Sequence, residues 1–279
     1  MPTPPRRRFA QLDVFSGRPH RGNPLAVVLE ADGLDDQDMQ RIAAWTNLSE
    51  TTFLLPPTQP GADYRVRIFT ASEELPFAGH PTLGTARAWL EAGGESAGER
   101  IVQECAAGLI QVRRDGDRLA FAAPPLRRSG ALEEAEVEAI AVALGIARAD
   151  VLGHSWADNG PGWQVVELGS AEQVLALRPD AAALGARKVG VMGRHEGADG
   201  PRYEVRAFAP VGVEDPVTGS LNAGIAQWLT ARDEAPERWT AAQGTVLGRE
   251  GRIHLEREAD GTIWVGGDTL VTIEGTIVV

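Results

Sequence analysis

The sequence ELPFAGHPTLGTARAWLE at residues 74–91 has a counterpart in the second half of the chain, EDPVTGSLNAGIAQWLTA at residues 214–231. In both stretches a proline-containing loop leads to a glycine, a polar residue and then a helical segment that is small or apolar over much of its circumference. A helix of this kind is expected to be buried. Just upstream, residues 67–69 (RIF) parallel residues 206–208 (RAF) with a one-residue slip. The sequence therefore predicts an internal repeat with one buried helix in each half.

Most of the remaining chain has the pattern of short strands, and Asp-Gly pairs at 115–116 and 260–261 are typical of tight hairpins. Further helices are predicted over 35–46 and 133–144. Residues 100–112 are predicted to form one strand. We therefore expect an α+β protein of two similar domains, related by a pseudo-twofold axis, each with strands curling around a central helix.

The domain boundary is predicted at Pro124-Pro125, a plausible linker between the halves. The first domain would comprise residues 1–124 and the second residues 125–266. Residues 1–8 are expected to be a short frayed tail, because polar residues interrupt the chain directly after three arginines and leave no apolar stretch for a signal peptide.

Composition narrows the classes of function. The net charge is −12, which argues against a nucleic-acid-binding protein. No apolar run is long enough to span a membrane. A single cysteine, Cys105, excludes an internal disulfide framework and fits a reducing compartment, so we expect a cytoplasmic location. The five histidines lack the spacing of a zinc site, and no metal is expected.

The repeat supplies the first chemical clue. Each predicted central helix begins with a glycine and a polar residue, Gly79-His80 in one half and Gly219-Ser220 in the other. The first N–H groups of a helix lack helical partners and carry partial positive charge. A facing pair of such ends would bind a carboxylate or a developing enolate-like charge. Ordinary capping is the alternative for either end taken alone, and the matched pair favours a site.

Three titratable residues are candidates for catalysis. His80 and Asp215 lie beside the two helix ends, and their placement within the repeat favours a role beyond that of a structural histidine or an Asp-Pro turn. Glu50 precedes the apolar residues Phe53 and Leu54. Desolvation there would raise the pKa of Glu50 and suit a group that takes and returns a proton. An ordinary surface glutamate at a strand start is equally compatible with these neighbours.

Several of these segments resemble signature blocks of the PhzF (phenazine biosynthesis-like) family. The blocks occur in family order along the chain: residues 22–28 (GNPLAVV), 47–53 (NLSETTF), 74–85 (ELPFAGHPTLGT), 214–220 (EDPVTGS) and 243–249, which begins QG and ends GR. The resemblance implies the diaminopimelate epimerase-like fold, in which each of two domains is a β-barrel around one helix and the active site lies in the cleft between. It also implies that residues 267–279 complete the first domain.

The same resemblance implies a cofactor-free isomerase that moves a proton within a small cyclic or unsaturated carboxylate, as in phenazine biosynthesis. Glu50 would be the acid and base, and His80 and Asp215 would position the substrate and assist protonation. Gly79, Gly219 and Ser220 would bind its carboxylate or amino group. Two-thiol epimerisation is excluded, because neither helix start carries a cysteine. Leu221 and Asn222, which follow Ser220, are first-turn positions that could line the cleft.

The partners expected from this interpretation are a small anionic metabolite and a second copy of the chain, because homodimers are usual in the family. The alternative interpretation is a catalytically silent protein on the same fold, which binds a small anion or another protein. Hydrolase or lyase chemistry through Asp215 and His80 lacks an evident nucleophile.

Overall fold

The computed structural model describes residues 5–96, 98–197 and 199–279. Its six α-helices are α1 (Asp36–Thr46), α2 (Gly79–Glu91), α3 (Glu134–Leu144), α4 (Ala171–Ala176), α5 (Ala181–Leu184) and α6 (Gly219–Ala231). Its strands are β1 (Arg6–Val14), β2 (Asn23–Val28), β3 (Glu50–Leu55), β4 (Tyr64–Phe69), β5 (Glu74–Leu75), β6 (Ile101–Cys105), β7 (Gly108–Asp115), β8 (Arg118–Ala122), β9 (Arg128–Gly130), β10 (Gly153–Asp158), β11 (Trp163–Leu168), β12 (Lys188–Arg194), β13 (Tyr203–Phe208), β14 (Glu214–Asp215), β15 (Arg238–Gln243), β16 (Gly251–Arg257), β17 (Ile263–Gly267) and β18 (Thr269–Val278).

The chain divides into two compact units. Unit 1 comprises the described residues up to Ala122 together with Gly266–Val279, and unit 2 comprises Ala123–Val265. No helix within the described ranges is long and apolar enough to cross a membrane.

In unit 1, β1 pairs antiparallel with both β18 and β2. From β2 the ladder continues through β3, β4, β6, β7 and β8, and the pairs β2–β3 and β4–β6 are parallel. Parallel neighbours need a crossover connection, and the two helices α1 and α2 make those crossovers. Helix α2 is the central one, because it contacts β1, β2, β3, β6, β8 and β18.

Unit 2 has the same internal order. Its ladder runs through β9, β10, β11, β12, β13, β15 and β16, and the pairs β11–β12 and β13–β15 are parallel. Helices α4 and α5 make the first crossover and α6 makes the second. Helix α6 is buried along most of its length and contacts β10, β11 and β16. Each unit therefore wraps strands around one helix, as the repeat predicts.

A close approach of strand and helix explains the glycines that recur within the repeat. A Cβ atom on Gly84 of α2 would lie 2.4 Å from Leu25 Cδ2, and one on Gly224 of α6 would lie 2.5 Å from the backbone oxygen of Ala157. Only a residue without a side chain fits so near a neighbouring strand.

A duplicated arginine–glutamate pair explains the recurring RIF and RAF segments. Arg67 donates from Nε and Nη2 to the two carboxylate oxygens of Glu74, at 2.7 and 2.6 Å. Arg206 binds Glu214 in the same way, at 2.8 and 2.7 Å. Each guanidinium also lies 5.0 Å from the centre of a phenylalanine ring two residues further along its strand. The one-residue slip follows from the 3₁₀ turn over Pro210–Gly212, which lengthens the connection in unit 2.

Two local predictions are wrong. The arginines at 6–8 are not a frayed tail, because they form the start of β1 and pair with Val278, Ile277 and Thr276; residues 1–4 of that predicted tail lie outside the described residues. Residues 100–112 are not one strand, because β6 ends at Cys105 and β7 begins at Gly108. The chain turns there through Gly108, whose φ of +112° is unfavourable for other residues.

Candidate active site

Glu50 occupies the first position of β3. Helix α1 ends just before it with Asn47 in the left-handed conformation, which asparagine tolerates better than most residues, and the chain then turns into the strand. Parallel pairing with Leu25 of β2 fixes the backbone of Glu50. Its side chain is 16% exposed. The carboxylate is therefore held at a strand end, largely shielded and still accessible to a small molecule.

His80, the second residue of α2, lies against this carboxylate. Its Nδ1 atom is 3.3 Å from Glu50 Oε2 and 3.4 Å from the side-chain nitrogen of Asn23, which begins β2. The His80 side chain is only 4% exposed. Burial lowers the pKa of His80 from 6.5 to about 3, although a hydrogen bond with the backbone of Pro24 acts in the opposite direction. The imidazole is therefore neutral at neutral pH.

A neutral histidine gives this contact a different character from an ion pair. A charged imidazolium would stabilise the carboxylate and make it a weaker base. A neutral imidazole can instead donate a hydrogen bond from Nδ1 to one oxygen of Glu50, whether or not the other oxygen carries a proton. The pair can thus accommodate Glu50 in both protonation states, which is what a group that takes and returns a proton requires.

The two central helices start in buried positions without a side-chain cap, unlike the other helices. Helices α1, α4 and α5 each begin with a side-chain cap, from Asp35, Ser170 and Asp180 respectively. Helices α2 and α6 begin without a side-chain cap, although their first two residues are buried. Helix α3 also lacks such a cap, but its first turn is largely exposed to water. The first turns of α2 and α6 are therefore the buried helix starts at which a ligand could supply the acceptor.

In unit 2, Asp215, Gly219 and Ser220 lie along the stretch of chain that leads from β14 into α6. The hydroxyl of Thr218, which precedes α6, donates to Asp215 Oδ2 in a short hydrogen bond. Gly219 begins the helix, and Ser220 Oγ accepts a 3.0 Å hydrogen bond from Trp163 Nε1. The indole fixes the serine hydroxyl as an acceptor towards Trp163 and leaves its proton to be donated elsewhere.

The expectation that Leu221 and Asn222 could line a cleft is wrong. Both are fully buried inside unit 2. Leu221 fills the space over Gly190, where a Cβ atom would lie 2.3 Å from Leu221 Cδ1. Asn222 donates to the backbone oxygen of Thr218 and to the side-chain oxygen of Gln243, both at 2.9 Å. In the first turn of α6 these two side chains point into their own unit.

The structure thus brings Glu50 into contact with His80 in unit 1, where Gly79 begins α2. In unit 2, Asp215 is bound by Thr218, which directly precedes Gly219 and Ser220. Sequence reasoning missed Asn23, although it lies within the quoted block GNPLAVV. It also missed Thr218 and Gln243 as neighbours of Asp215. Within the described ranges, no group of three or more histidine, cysteine, aspartate and glutamate side chains is arranged to hold a metal ion.

Comparison with known proteins adds an independent finding. A family model described as "Phenazine biosynthesis-like protein" matches residues 12–279. Antisense-enhancing sequence 1 of Schizosaccharomyces pombe is 36% identical, over 96% of this chain and 97% of that protein. Trans-2,3-dihydro-3-hydroxyanthranilate isomerase of Pseudomonas aeruginosa is 34% identical, over 96% of this chain and 98% of that protein. A solved structure of a PhzF-family phenazine biosynthesis protein from Bacillus anthracis has the same fold, with a TM-score of 0.83 at 21% identity over 99% of this chain and 100% of its own.

Proposed function

Because the chain belongs to the PhzC-PhzF family of phenazine biosynthesis-like proteins and is an isomerase, we propose that it moves a proton within a small cyclic or unsaturated carboxylate, with Glu50 as both base and acid. The observation that carries the proposal is the contact between Glu50 and a buried, neutral His80. No cofactor is needed for a reaction that a single carboxylate can complete.

The proposed step is internally balanced. The Glu50 carboxylate accepts a proton from one carbon of the substrate, and the electron pair of the broken C–H bond enters the adjacent unsaturated system. The protonated Glu50, whose acidic proton exchanges with solvent, then delivers a proton to the other end of that system. No atom is gained or lost, so the product is an isomer. His80 lies against the Glu50 carboxylate through both steps and positions the substrate.

We assign the residues of unit 2 to substrate binding and charge stabilisation. Ser220 has a hydroxyl proton available for donation, because Trp163 already occupies its oxygen as an acceptor. The uncapped starts at Gly79 and Gly219 supply backbone N–H groups suited to a carboxylate or a developing enolate. Asp215 is suited to an amino group of the substrate or to assisting protonation, because it carries an oriented carboxylate.

The substrate class follows from the same groups and from the relatives. Proteins of Pseudomonas aeruginosa, Pseudomonas chlororaphis and Pseudomonas fluorescens that are 34–35% identical to this chain are named for trans-2,3-dihydro-3-hydroxyanthranilate. That compound combines a carboxylate, an amino group and a C–H bond next to an unsaturated system. We propose this compound or one of the same class as substrate.

The test is proton NMR in D₂O with trans-2,3-dihydro-3-hydroxyanthranilate and related unsaturated or amino-bearing carboxylates. Wild-type protein is expected to incorporate solvent deuterium as it isomerises its substrate. Glu50→Gln should lower the rate by about 10²–10⁴-fold, the usual contribution of one general acid or base, with ligand binding retained. Glu73→Gln is the matched control, since Glu73 is an exposed residue of the same unit.

A fully active Glu50→Gln protein would contradict the proposed role of Glu50. Binding of these compounds by wild-type protein with neither isomerisation nor deuterium incorporation would instead favour a catalytically silent anion-binding protein.

A further inference from the structure

A buried glutamine in each unit links the strand that follows the central helix to the start of that helix. Gln103 lies on β6 and Gln243 on β15, and both side chains are fully buried. Their separation along the chain equals that of the helix-start glycines, Gly79 and Gly219. The two strands are equivalent in the two ladders, since β6 pairs in parallel with β4 and β15 pairs in parallel with β13, the strands that carry the repeated arginines. The two glutamines therefore belong to the repeat.

In unit 1, the glutamine reaches the helix start through a single hydroxyl group. Gln103 Nε2 donates to the hydroxyl of Thr82 at 3.0 Å, and Thr82 donates in turn to the backbone oxygen of Ala78 at 2.9 Å. The oxygen of Gln103 accepts from the hydroxyl of Tyr64 at 3.1 Å. Ala78 precedes α2 and has no side chain that could extend the chain of hydrogen bonds. The position that corresponds to Asp215 in the repeat is Leu75, which carries no charge.

In unit 2, the equivalent glutamine makes more hydrogen bonds, and some of them reach beyond the helix start to Asp215. Gln243 Oε1 accepts from the side-chain nitrogen of Asn222 at 2.9 Å and from the backbone N–H of Thr218 at 3.0 Å. Gln243 Nε2 donates to the hydroxyl of Thr218 at 2.9 Å and to the backbone oxygen of Asp215 at 3.1 Å. All four hydrogen-bonding positions of this amide are therefore used, and two of the four bonds reach Asp215 directly or through one hydroxyl.

The direction of these bonds orients the Thr218 hydroxyl. Because Gln243 donates to its oxygen, the hydroxyl proton is free to point to Asp215 Oδ2, where the short hydrogen bond is found. Gln243 thus holds Asp215 at its backbone oxygen and, through Thr218, at its carboxylate. The hydrogen bonds of the glutamine reach beyond the helix start only in unit 2, whose loop carries a carboxylate at this position.

We propose that Gln243 and Thr218 are positioning residues for the reaction, which hold the Asp215 carboxylate in its working orientation. The inference rests on the proposed function, in which Asp215 contacts the substrate. Gln103, in contrast, only stabilises the start of α2 and positions no catalytic residue. Loss of Gln243 should lower kcat more than it raises KM, because a misplaced carboxylate weakens interactions that are strongest in the transition state.

The test is a set of double-mutant cycles with trans-2,3-dihydro-3-hydroxyanthranilate as the substrate. Gln243→Met and Thr218→Val are each expected to lower kcat by at least about tenfold, and Thr218→Ser, which keeps the hydroxyl, should restore most of the rate. In a protein that already carries Asp215→Asn, Gln243→Met should cause little further loss, since both changes remove one function. Gln103→Met should combine additively with Asp215→Asn.

A second measurement, amide hydrogen exchange of each variant, checks the contact itself. Gln243→Met should speed exchange at the N–H of Thr218, which loses its acceptor, and leave the start of α2 unchanged. Additive losses for Gln243→Met and Asp215→Asn would overturn the inference, as would equal behaviour of the two glutamine variants. If Asp215→Asn alone keeps full activity, the role of Asp215 in the proposed function fails and the inference falls with it. The lowered rate of Glu50→Gln would still stand, so the two failures are distinguishable.

Discussion

The two central helices begin on the same scaffold and carry different chemistry. Before α2 and before α6, an arginine on the preceding strand binds a glutamate of the next short strand, and a buried glutamine ties the helix start to a later strand. At the second helical position, unit 1 has a neutral His80 against Glu50 and unit 2 has Ser220 against Trp163. The duplicated parts are therefore those that shape the loop, while the reactive side chains differ between the two units.

The arginine pairs also differ in their surroundings. Arg206 is only 4% exposed and additionally donates to the backbone oxygens of Val174 and Leu177 at the end of α4. Arg67 is 23% exposed and donates to Asp36, whose side chain is 82% exposed. The same bidentate geometry is therefore internal in one unit and close to the surface in the other.

Removal of the arginine should destabilise the two units very differently. Arg206→Met should lower the free energy of unfolding by about 3–5 kcal/mol, because it leaves the largely buried Glu214 without its partner. Arg67→Met should cost about 1 kcal/mol or less, as is usual for pairs near the surface. Urea unfolding of both variants measures the difference. Equal losses would show that burial does not distinguish the two pairs.

The pH dependence of stability should distinguish His80 of unit 1 from Ser220 of unit 2, because only the histidine titrates. The folded protein disfavours protonation of His80, so the unfolded chain binds the extra proton between about pH 6.5 and pH 3. Stability therefore falls as the pH drops through this window. Between pH 6.5 and pH 4.5, His80 should lower the free energy of unfolding by about 2 kcal/mol, at 1.36 kcal/mol per pKa unit. His80→Asn should remove this part of the pH dependence.

The measurement is the free energy of unfolding at several pH values for wild type and His80→Asn. His20→Asn is the control, because His20 is exposed and its positive φ is one that asparagine accepts. An unchanged pH dependence in His80→Asn would contradict the assignment of a buried neutral imidazole. Ser220→Ala should leave the pH dependence as it is, since serine does not titrate in this range.

The smallest effect concerns the paired glycines inside the helices. Gly224→Ala places a methyl group against the backbone oxygen of Ala157, which cannot move without distorting β10, whereas Gly84→Ala meets the side chains of Leu25 and Val14. Overpacking costs about 1–3 kcal/mol, and the higher helix propensity of alanine offsets up to about 1 kcal/mol. After this offset we expect a net loss of at most about 2 kcal/mol for Gly224→Ala and a smaller one for Gly84→Ala. A larger loss for Gly84→Ala in thermal unfolding would reverse this ranking.

Much of the fold could be predicted because the repeat is local. The buried helices, the glycines at 84 and 224 and the arginine segments all lie within residues 67–91 in the first half and 206–231 in the second. The arginines at 6–8 were misjudged because their strand partners lie at the other end of the sequence. No local pattern reports a pairing over that distance.

The candidate site was predictable to a similar extent. Glu50 and His80 follow from the family resemblance, and the structure places them in contact. Their electrostatics could not be predicted, because the lowered pKa of His80 depends on burial by residues distant in sequence. Gln103 and Gln243 have the same spacing as the segments that identified the repeat, and this spacing was the available signal for them. Leu221 was misjudged because the space it fills is created by Gly190, on another strand.

The pairing of β1 with β18 has a consequence for the order of folding. Every residue of unit 2 has been synthesised once Val265 is reached, whereas unit 1 still lacks the strand that pairs with its first one. Unit 1 therefore has an unpaired sheet edge at β1 at a stage when unit 2 can already fold. The pairing of β1 with β18 then closes a loop that contains nearly the whole chain. An unpaired edge of this kind is prone to association with other chains. Newly made protein should accordingly depend on rapid closure of unit 1, or on chaperones that shield β1, more than on any step in unit 2.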